Sequence, residues 1–294
     1  MPPTIDVLVV GSLNHDIIVG VTASPGPGET VLAHSLTRAN GGKGGNQAVA
    51  AARAGAGVRL VSCVGTDAEG DMQVHDLAAS GVDITGIARL AKLATSLALI
   101  WVTPDGENRI IVTPGAKDEV TPAVLATRTA DLASANVVLA QSETGAAVAE
   151  AAAELARQWG ARFVFSCGPV ISVSPETMRL CDPIIVNASE ARELLSDSRT
   201  VPDDGLAQAL LDATGAVSVV VTLGARGSVL AQGGQCLAID AAPARQVIDT
   251  TGAGDTYCGV AAAHLALGAT LESACQQASV AAAQAVGWLG ARPH

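Results

Sequence analysis

The sequence predicts an α/β fold: a doubly wound, mostly parallel sheet flanked by helices, with a small β-sheet lid. Two observations predict the main layer. Short β-branched runs alternate with Ala-rich stretches along most of the chain, and the runs are apolar at consecutive positions, not at every second one. Strands apolar on both faces and separated by helices belong to a parallel sheet covered on both sides. A third observation, two segments that break this rhythm, predicts the small second sheet.

The elements follow in order. IDVLVV (5–10) opens the sheet, and a Gly-rich turn then releases an Ala-rich helix near 45–55. RLVSCV (59–64) is the next buried run, with a helix near 69–80. NVVLA (136–140) leads into a helix near 144–159, and RFVFS (162–166) follows. DPIIV (182–186) precedes a helix from about 188 and another near 203–213. VSVVVT (217–222) and two closing helices, near 253–267 and 271–286, complete the layer. β-branched residues suit a pleated, buried surface, whereas Ala is the best helix former.

The rhythm breaks at 16–39 and 92–113. The second segment reads as a hairpin around Pro104-Asp105-Gly106-Glu107, and the first as two short strands joined by a Pro/Gly turn. A sheet this small cannot bury both faces alone, so it must cover a cleft or pair with another subunit. No repeat, low-complexity tract or linker marks a second domain. Residues 1–294 are therefore expected as one domain, with 16–39 and 92–113 as its lid.

Composition removes several function classes. Hydrophobic residues make up 49 % and aromatics only 2 %, so the core is aliphatic and stacking platforms are scarce. A formal charge of −11 repels a phosphate backbone, and no Lys/Arg cluster offsets it, which excludes nucleic acid as a partner. The six cysteines (63, 167, 181, 236, 258, 275) have no zinc-like spacing and fall mostly in apolar segments, as reduced thiols do. With no basic leader before the first strand and no apolar run of membrane-spanning length, the expected setting is the cytoplasm, away from any membrane.

In an open parallel sheet, ligands bind beyond the C-terminal ends of the strands. Polar residues cluster there: Asn14 and Asp16, Gln141 and Glu143, Asn187 and Glu190, then Thr222 and Gly224. Each could be a ligand contact or a helix cap. NGGKGGNQAVAAARAGA (40–56) has Lys43 inside a Gly-rich turn and Asn46 at a helix start. It lacks the Ser or Thr that a phosphate-binding P-loop needs after its Lys, and GSLNHD (11–16) lacks the dinucleotide-binding glycine pattern. DTTGAGDTYCG (249–259) places Gly252-Ala253-Gly254 at a helix start, where free N–H groups attract an anion. Asp255 in the first turn would repel that anion unless its task is to accept a proton from an attacking hydroxyl. Asp249 could hold a cation or cap the turn.

GSLNHD (11–16), GGKGGNQA (41–48), NASE (187–190), TLGARG (222–227) and DTTGAGDT (249–256) together resemble the PfkB family of carbohydrate kinases. The resemblance spans nearly the whole chain. It implies transfer of the γ-phosphoryl group of Mg-ATP to a sugar hydroxyl, here O5 of D-ribose. Another small sugar or a nucleoside is the alternative substrate, and a catalytically dead sugar sensor is the non-enzyme alternative. On this resemblance Asn14, Asp16, Gly42, Lys43, Asn46 and Glu143 would hold the sugar, and Asp255 would be the base. Gly252, Ala253 and Gly254 would form the anion hole. Asn187, Thr222, Gly224 and Gly227 would bind ATP, while Glu190 would position Mg2+ through water. Asp249 and Thr251, with Gly290, would surround K+. The lid would pair two subunits into a homodimer.

Overall fold

The structure, a computed structural model, describes residues 4–104, 108–196 and 200–292. The turn expected at Asp105–Glu107 lies outside them. Among the described residues the strands are β1 (Val7–Val10), β2 (Asn14–Val21), β3 (Ala33–Gly41), β4 (Val58–Gly65), β5 (Ile87–Leu90), β6 (Leu97–Val102), β7 (Asn108–Val112), β8 (Val137–Gln141), β9 (Arg162–Ser166), β10 (Cys181–Asn187), β11 (Ser218–Thr222), β12 (Ser228–Gln232) and β13 (Gln235–Ile239). The helices are α1 (Lys43–Arg53), α2 (Ala68–Ala79), α3 (Pro122–Arg128), α4 (Ala146–Trp159), α5 (Pro175–Leu180), α6 (Ala188–Leu194), α7 (Leu206–Thr214), α8 (Ala253–Ala266) and α9 (Leu271–Ala285). No helix among them is long and apolar enough to cross a membrane.

Nine strands form the main sheet in the order β13-β12-β11-β10-β9-β8-β1-β4-β5. It is parallel from β5 to β11, and β12 and β13 add an antiparallel edge. The run of apolar residues in each strand serves two cores. Leu8, Val10, Val138, Phe163, Phe165 and Val219 face α3 to α7, whereas Val7, Val9, Leu139, Val164 and Val220 face α1, α2, α8 and α9. This is the double winding expected from strands apolar on both faces.

A separate four-stranded sheet has the order β3-β2-β6-β7, with β2 and β6 parallel and the outer pairs antiparallel. Its strands occupy 14–41 and 97–112, close to the two segments that break the sequence rhythm.

Several elements exceed what the pattern predicts. α3 and α5 have seven and six residues, too short for a helical period to show, and each begins on a proline after a capping Thr or Ser. β5 is four residues long and half-exposed at its end. The β12–β13 hairpin turns at Gly233-Gly234, both at positive φ, a two-residue loop that the sequence does advertise.

The helix pair α1 and α8 lies against the sheet in close contact. A Cβ on Gly259 of α8 would fall 2.3 Å from the Gln47 carbonyl oxygen and 2.8 Å from Ala50 Cβ, both on α1. On an open helix Gly→Ala stabilises by ~1 kcal/mol. Here Gly259→Ala is expected to reverse that sign, because forcing extra volume into a packed interface costs ~1–3 kcal/mol. Thermal unfolding checks it: Tm should fall by several degrees, and a rise would contradict the close approach.

Candidate active site

The strand register gathers the polar residues along one edge. Gln141 at the end of β8 pairs with Ser166 of β9, Ser166 pairs with Ile185 of β10, and Asn187 of β10 pairs with Thr222 of β11. Beyond this edge stand the N-termini of α1 and α8. Both helices start after a glycine at positive φ, Gly42 (91°) and Gly252 (77°), and neither has a side-chain cap. Part of each first turn is nevertheless used: Gly45 N–H donates to the Ser12 carbonyl at 3.2 Å and Ala253 N–H to the Thr250 carbonyl at 3.3 Å, while no side chain caps the N–H groups that follow Ala253 in α8. α4 and α7 also start on a glycine without a side-chain cap, whereas α2, α3, α5, α6 and α9 are capped by Asp67, Thr121, Ser174, Asn187 and Thr270.

Asp255 is buried at the third position of α8, and α1 holds both its oxygens. Asn46 Nδ2 donates to Oδ2 at 2.8 Å, and Gln47 Nε2 donates to Oδ1 at 2.9 Å. Each amide is itself anchored through its oxygen. Gln141 Nε2 donates to Gln47 Oε1 at 2.8 Å, and Arg292 Nε donates to Asn46 Oδ1 at 2.9 Å. Lys43 brings a positive charge: the nearby Asp255 carboxylate raises its pKa, opposing the lowering by burial.

A cavity of about 140 Å3 joins these groups to the opposite side of the edge. Lys43, Asn187, Glu190, Thr222, Gly252, Gly254 and Asp255 line it. Gly254 faces open space, since a Cβ there meets nothing within 4 Å. Asn187 and Glu190 form a capping box, in which Glu190 Oε2 accepts from the Asn187 N–H at 2.8 Å. Cys258 also lines the cavity, but burial pushes its thiol up to about 12, so it stays a neutral thiol.

A second group lies where β2 and β3 meet the start of α1. Asn14 pairs with Gly41, and Asn14 Oδ1 is buried with no hydrogen-bond partner, free to accept from a hydroxyl. The Asp16 carboxylate lies against Gly41, where a Cβ would fall 2.3 Å from Oδ2. Burial raises its pKa to about 6, with Arg292 opposing and Glu143 adding. Glu143 Oε2 accepts from Ser12 Oγ and, at 3.3 Å, from the Lys43 N–H.

Asp249 forms a third group. Its oxygens accept from the Thr251 and Gly290 N–H groups, each at 2.9 Å. Burial raises its pKa, but these bonds outweigh it and leave the carboxyl below its ordinary value.

The sequence-predicted residues thus fall into contiguous groups. Asn14, Asp16, Gly42, Lys43, Asn46, Glu143 and Asp255 surround one end, and Asn187, Glu190, Thr222, Gly252, Ala253 and Gly254 the other. Gly224 and Gly227 are not part of the cavity lining; they shape the β11–β12 turn next to Thr222. Gln47, Ser12, Gln73 and Arg292 were missed. Gln47 and Gln141 carried a weak signal as polar residues in otherwise apolar stretches, whereas Arg292 carried none.

Comparisons with known proteins identify the family. The profile of the pfkB family carbohydrate kinase matches residues 4–293. The ribokinase of Haemophilus influenzae is 35 % identical over 253 residues, 85 % of this chain and 82 % of that protein. The ribokinase of Schizosaccharomyces pombe is 31 % identical, covering 98 % of this chain and 93 % of its own. The solved structure of Arabidopsis thaliana ribokinase complexed with ribose and ATP superposes with a TM-score of 0.88 at 28 % identity, covering 98 % of this chain and 95 % of the other. With a family profile over residues 4–293 and a fold matched end to end, this chain belongs to the pfkB family of carbohydrate kinases.

Proposed function

We propose that the protein is an ATP-dependent sugar kinase that phosphorylates D-ribose at O5, giving D-ribose 5-phosphate and ADP. The observation that carries this reading is Asp255. It is buried, held on both oxygens by neutral amides, and placed between the polar cluster around Asn14 and the cavity bounded by Gly252 and Gly254. Each carboxylate oxygen has a further lone pair after accepting one amide, so the base can still receive a proton. Similarity to ribokinases, one of them complexed with ribose and ATP, supports ribose as the sugar.

The chain's own residues divide the work. Asn14, Asp16, Gly42, Lys43, Asn46 and Glu143 orient the sugar so that its primary hydroxyl meets Asp255. The hydroxyl oxygen bonds to the γ-phosphorus, the bond to the β-phosphate oxygen breaks, ADP leaves and the proton passes to Asp255. Gly252, Ala253 and Gly254 present N–H groups to the charge on the transferring group. Asn187, Thr222, Gly224 and Gly227 hold the nucleotide. Positioning and charge stabilisation are the main demands of phosphoryl transfer.

Two ions fit the residues present. Glu190 borders the cavity, and one carboxylate with substrate phosphates and water suits Mg2+, which would neutralise phosphate charge. The Asp249 carboxylate, kept ionised by the N–H groups of Thr251 on its own turn and Gly290 after α9, is a hard oxygen donor suited to K+ beside the anion hole. The four-stranded sheet acts as lid and as dimer interface in this reading. On its outer strand β7, the neighbouring Ile110 and Ile111 are both half-exposed, and Leu36 on β3 is 55 % exposed. Adjacent strand residues point to opposite faces, so neither face of β7 is covered. The work is assigned to the cytoplasm, which fits six free cysteines, five of them buried.

Four outcomes test the proposal. D-ribose should be phosphorylated at O5 in preference to 2-deoxyribose by at least about tenfold in kcat/KM, because a buried group left unpaired costs ~1–3 kcal/mol. The rate should be higher in potassium than in sodium at constant ionic strength. ADP release against a panel of pentoses, hexoses and nucleosides measures both; a nucleoside or hexose used better than ribose refutes the sugar, and equal rates in the two salts refute the cation site. Asp255→Asn should bind ribose and Mg-ATP yet lose about 10²–10⁴ in kcat, the contribution of a positioned base. Turnover within about threefold of the parent would remove Asp255 from that role. Finally, the protein should sediment as a dimer at micromolar concentration, and Leu36→Asp with Ile110→Asp should yield monomers. A monomeric parent protein would contradict the interface.

A further inference from the structure

The consecutive residues Gly290, Ala291 and Arg292 touch two loops of the site, the turn that opens α8 and the loop between β3 and α1. Gly290 N–H donates to Asp249. Ala291 packs on the helix-start glycine, since a Cβ on Gly252 would lie 2.5 Å from Ala291 Cα. Arg292, 4 % exposed, reaches into the loop between β3 and α1. Its Nη2 donates to the Gly41 carbonyl at 2.9 Å, and its Nη1 donates to Gln73 Oε1 at 3.1 Å and Asp76 Oδ2 at 2.7 Å, both on α2. Its Nε takes Asn46 Oδ1, as described above.

That last bond settles an orientation. A side-chain amide can face a carboxylate productively only with its nitrogen, and rotation by half a turn presents oxygen instead. Because the guanidinium occupies Asn46 Oδ1, Asn46 must present Nδ2 to Asp255. The guanidinium fits because Gly45 has no side chain: a Cβ there would fall 2.1 Å from Nη2. A planar fork that bonds Asn46, Gly41 and α2 together is a task for Arg that the single point charge of Lys cannot reproduce.

We infer that the strap 290–292 couples the sugar-binding loop to the phosphoryl-transfer turn, with Arg292 as a positioning residue that fixes Asn46 and, through it, Asp255. This rests on the kinase reading and deepens it, since it names what keeps the two halves of the site in register. An anchor that only fastened the chain end would affect stability and leave kinetics alone. A positioning residue affects the sugar and the chemical step, and spares the nucleotide.

The test uses the full chain and three variants: Arg292→Met, Arg292→Lys, and Asp76→Asn, which removes the carboxylate that aims the guanidinium from its 34 %-exposed position on α2. Kinetics are read at a temperature where circular dichroism shows each variant folded, with D-ribose as the sugar and calorimetric D-ribose binding alongside. Arg292→Met should raise the ribose KM and lower kcat, each by about tenfold, in line with buried acceptors left unpaired, while the Mg-ATP KM stays within about twofold. Arg292→Lys should recover part of the loss, and Asp76→Asn should shift the same constants by about threefold. A folded Arg292→Met with ribose constants near the parent's, or with a lowered Tm as its only change, overturns the inference. If Arg292→Met does not fold, Asp76→Asn decides, and unaltered ribose constants there overturn it. Failure of the kinase reading is separable: the parent protein itself would then release no ADP with ribose, and calorimetry would still read the effect of Arg292 on ribose binding.

Discussion

Asp255 is a carboxylate taken out of water, and the architecture around it follows from the need to compensate that burial. A buried charge without partners is too costly to keep ionised, whereas one that accepts hydrogen bonds on both oxygens is tolerated. The partners come from α1, a helix about 210 residues earlier in the chain. This requires α1 and α8 to touch, which explains why their facing surfaces carry Ala and Gly. It also requires that the two amides keep their nitrogens inward, which Gln141 and Arg292 ensure from behind. Lys43 supplies a cation across the cavity.

The sheet serves this arrangement by putting polar residues at the ends of apolar strands. Within a strand covered on both faces a polar side chain needs a dedicated partner, as Arg59 has in Asp83 and Asp131. At the carboxyl edge, however, Gln141, Ser166, Asn187 and Thr222 emerge in register and meet two helix starts without side-chain caps. In the proposed reaction the uncapped starts are the counterpart of the buried carboxylate: N–H groups for an incoming anion and a carboxylate for the outgoing proton would share the first turn of α8. The four-stranded sheet brings Asn14 and Asp16 to the same place from the other side, so one end of the site is polar and closed while the other opens on the cavity.

Most of this was legible in the sequence wherever the signal is local. Strands such as VLVV and SVVVT announce themselves because burial on both faces fills consecutive positions with β-branched and aliphatic residues. The turns around Gly42 and Gly252 announce themselves because only glycine accepts their φ. Contacts between distant segments leave no such trace. Arg292 and Asn46 are 246 positions apart, and nothing in GWLGARPH distinguishes an arginine that is buried from one in solvent. Gln47 stands beside Asn46, which drew attention as the helix-start residue, yet it is Gln47 that takes the second oxygen of Asp255. The short helices α3 and α5 escaped because six or seven residues do not complete two turns.

The central claim is geometric: the reacting hydroxyl lies between a clamped carboxylate and the amides that open α8. The most direct measurement is a crystal structure with D-ribose and a non-hydrolysable ATP analogue bound together. The ribose O5 should lie within hydrogen-bonding distance of Asp255, with Asn46 and Gln47 still donating to that carboxylate and the γ-phosphoryl group over Gly252 to Gly254. A ribose whose O5 points away from Asp255, or a γ-phosphoryl group placed elsewhere than this helix start, would contradict the account.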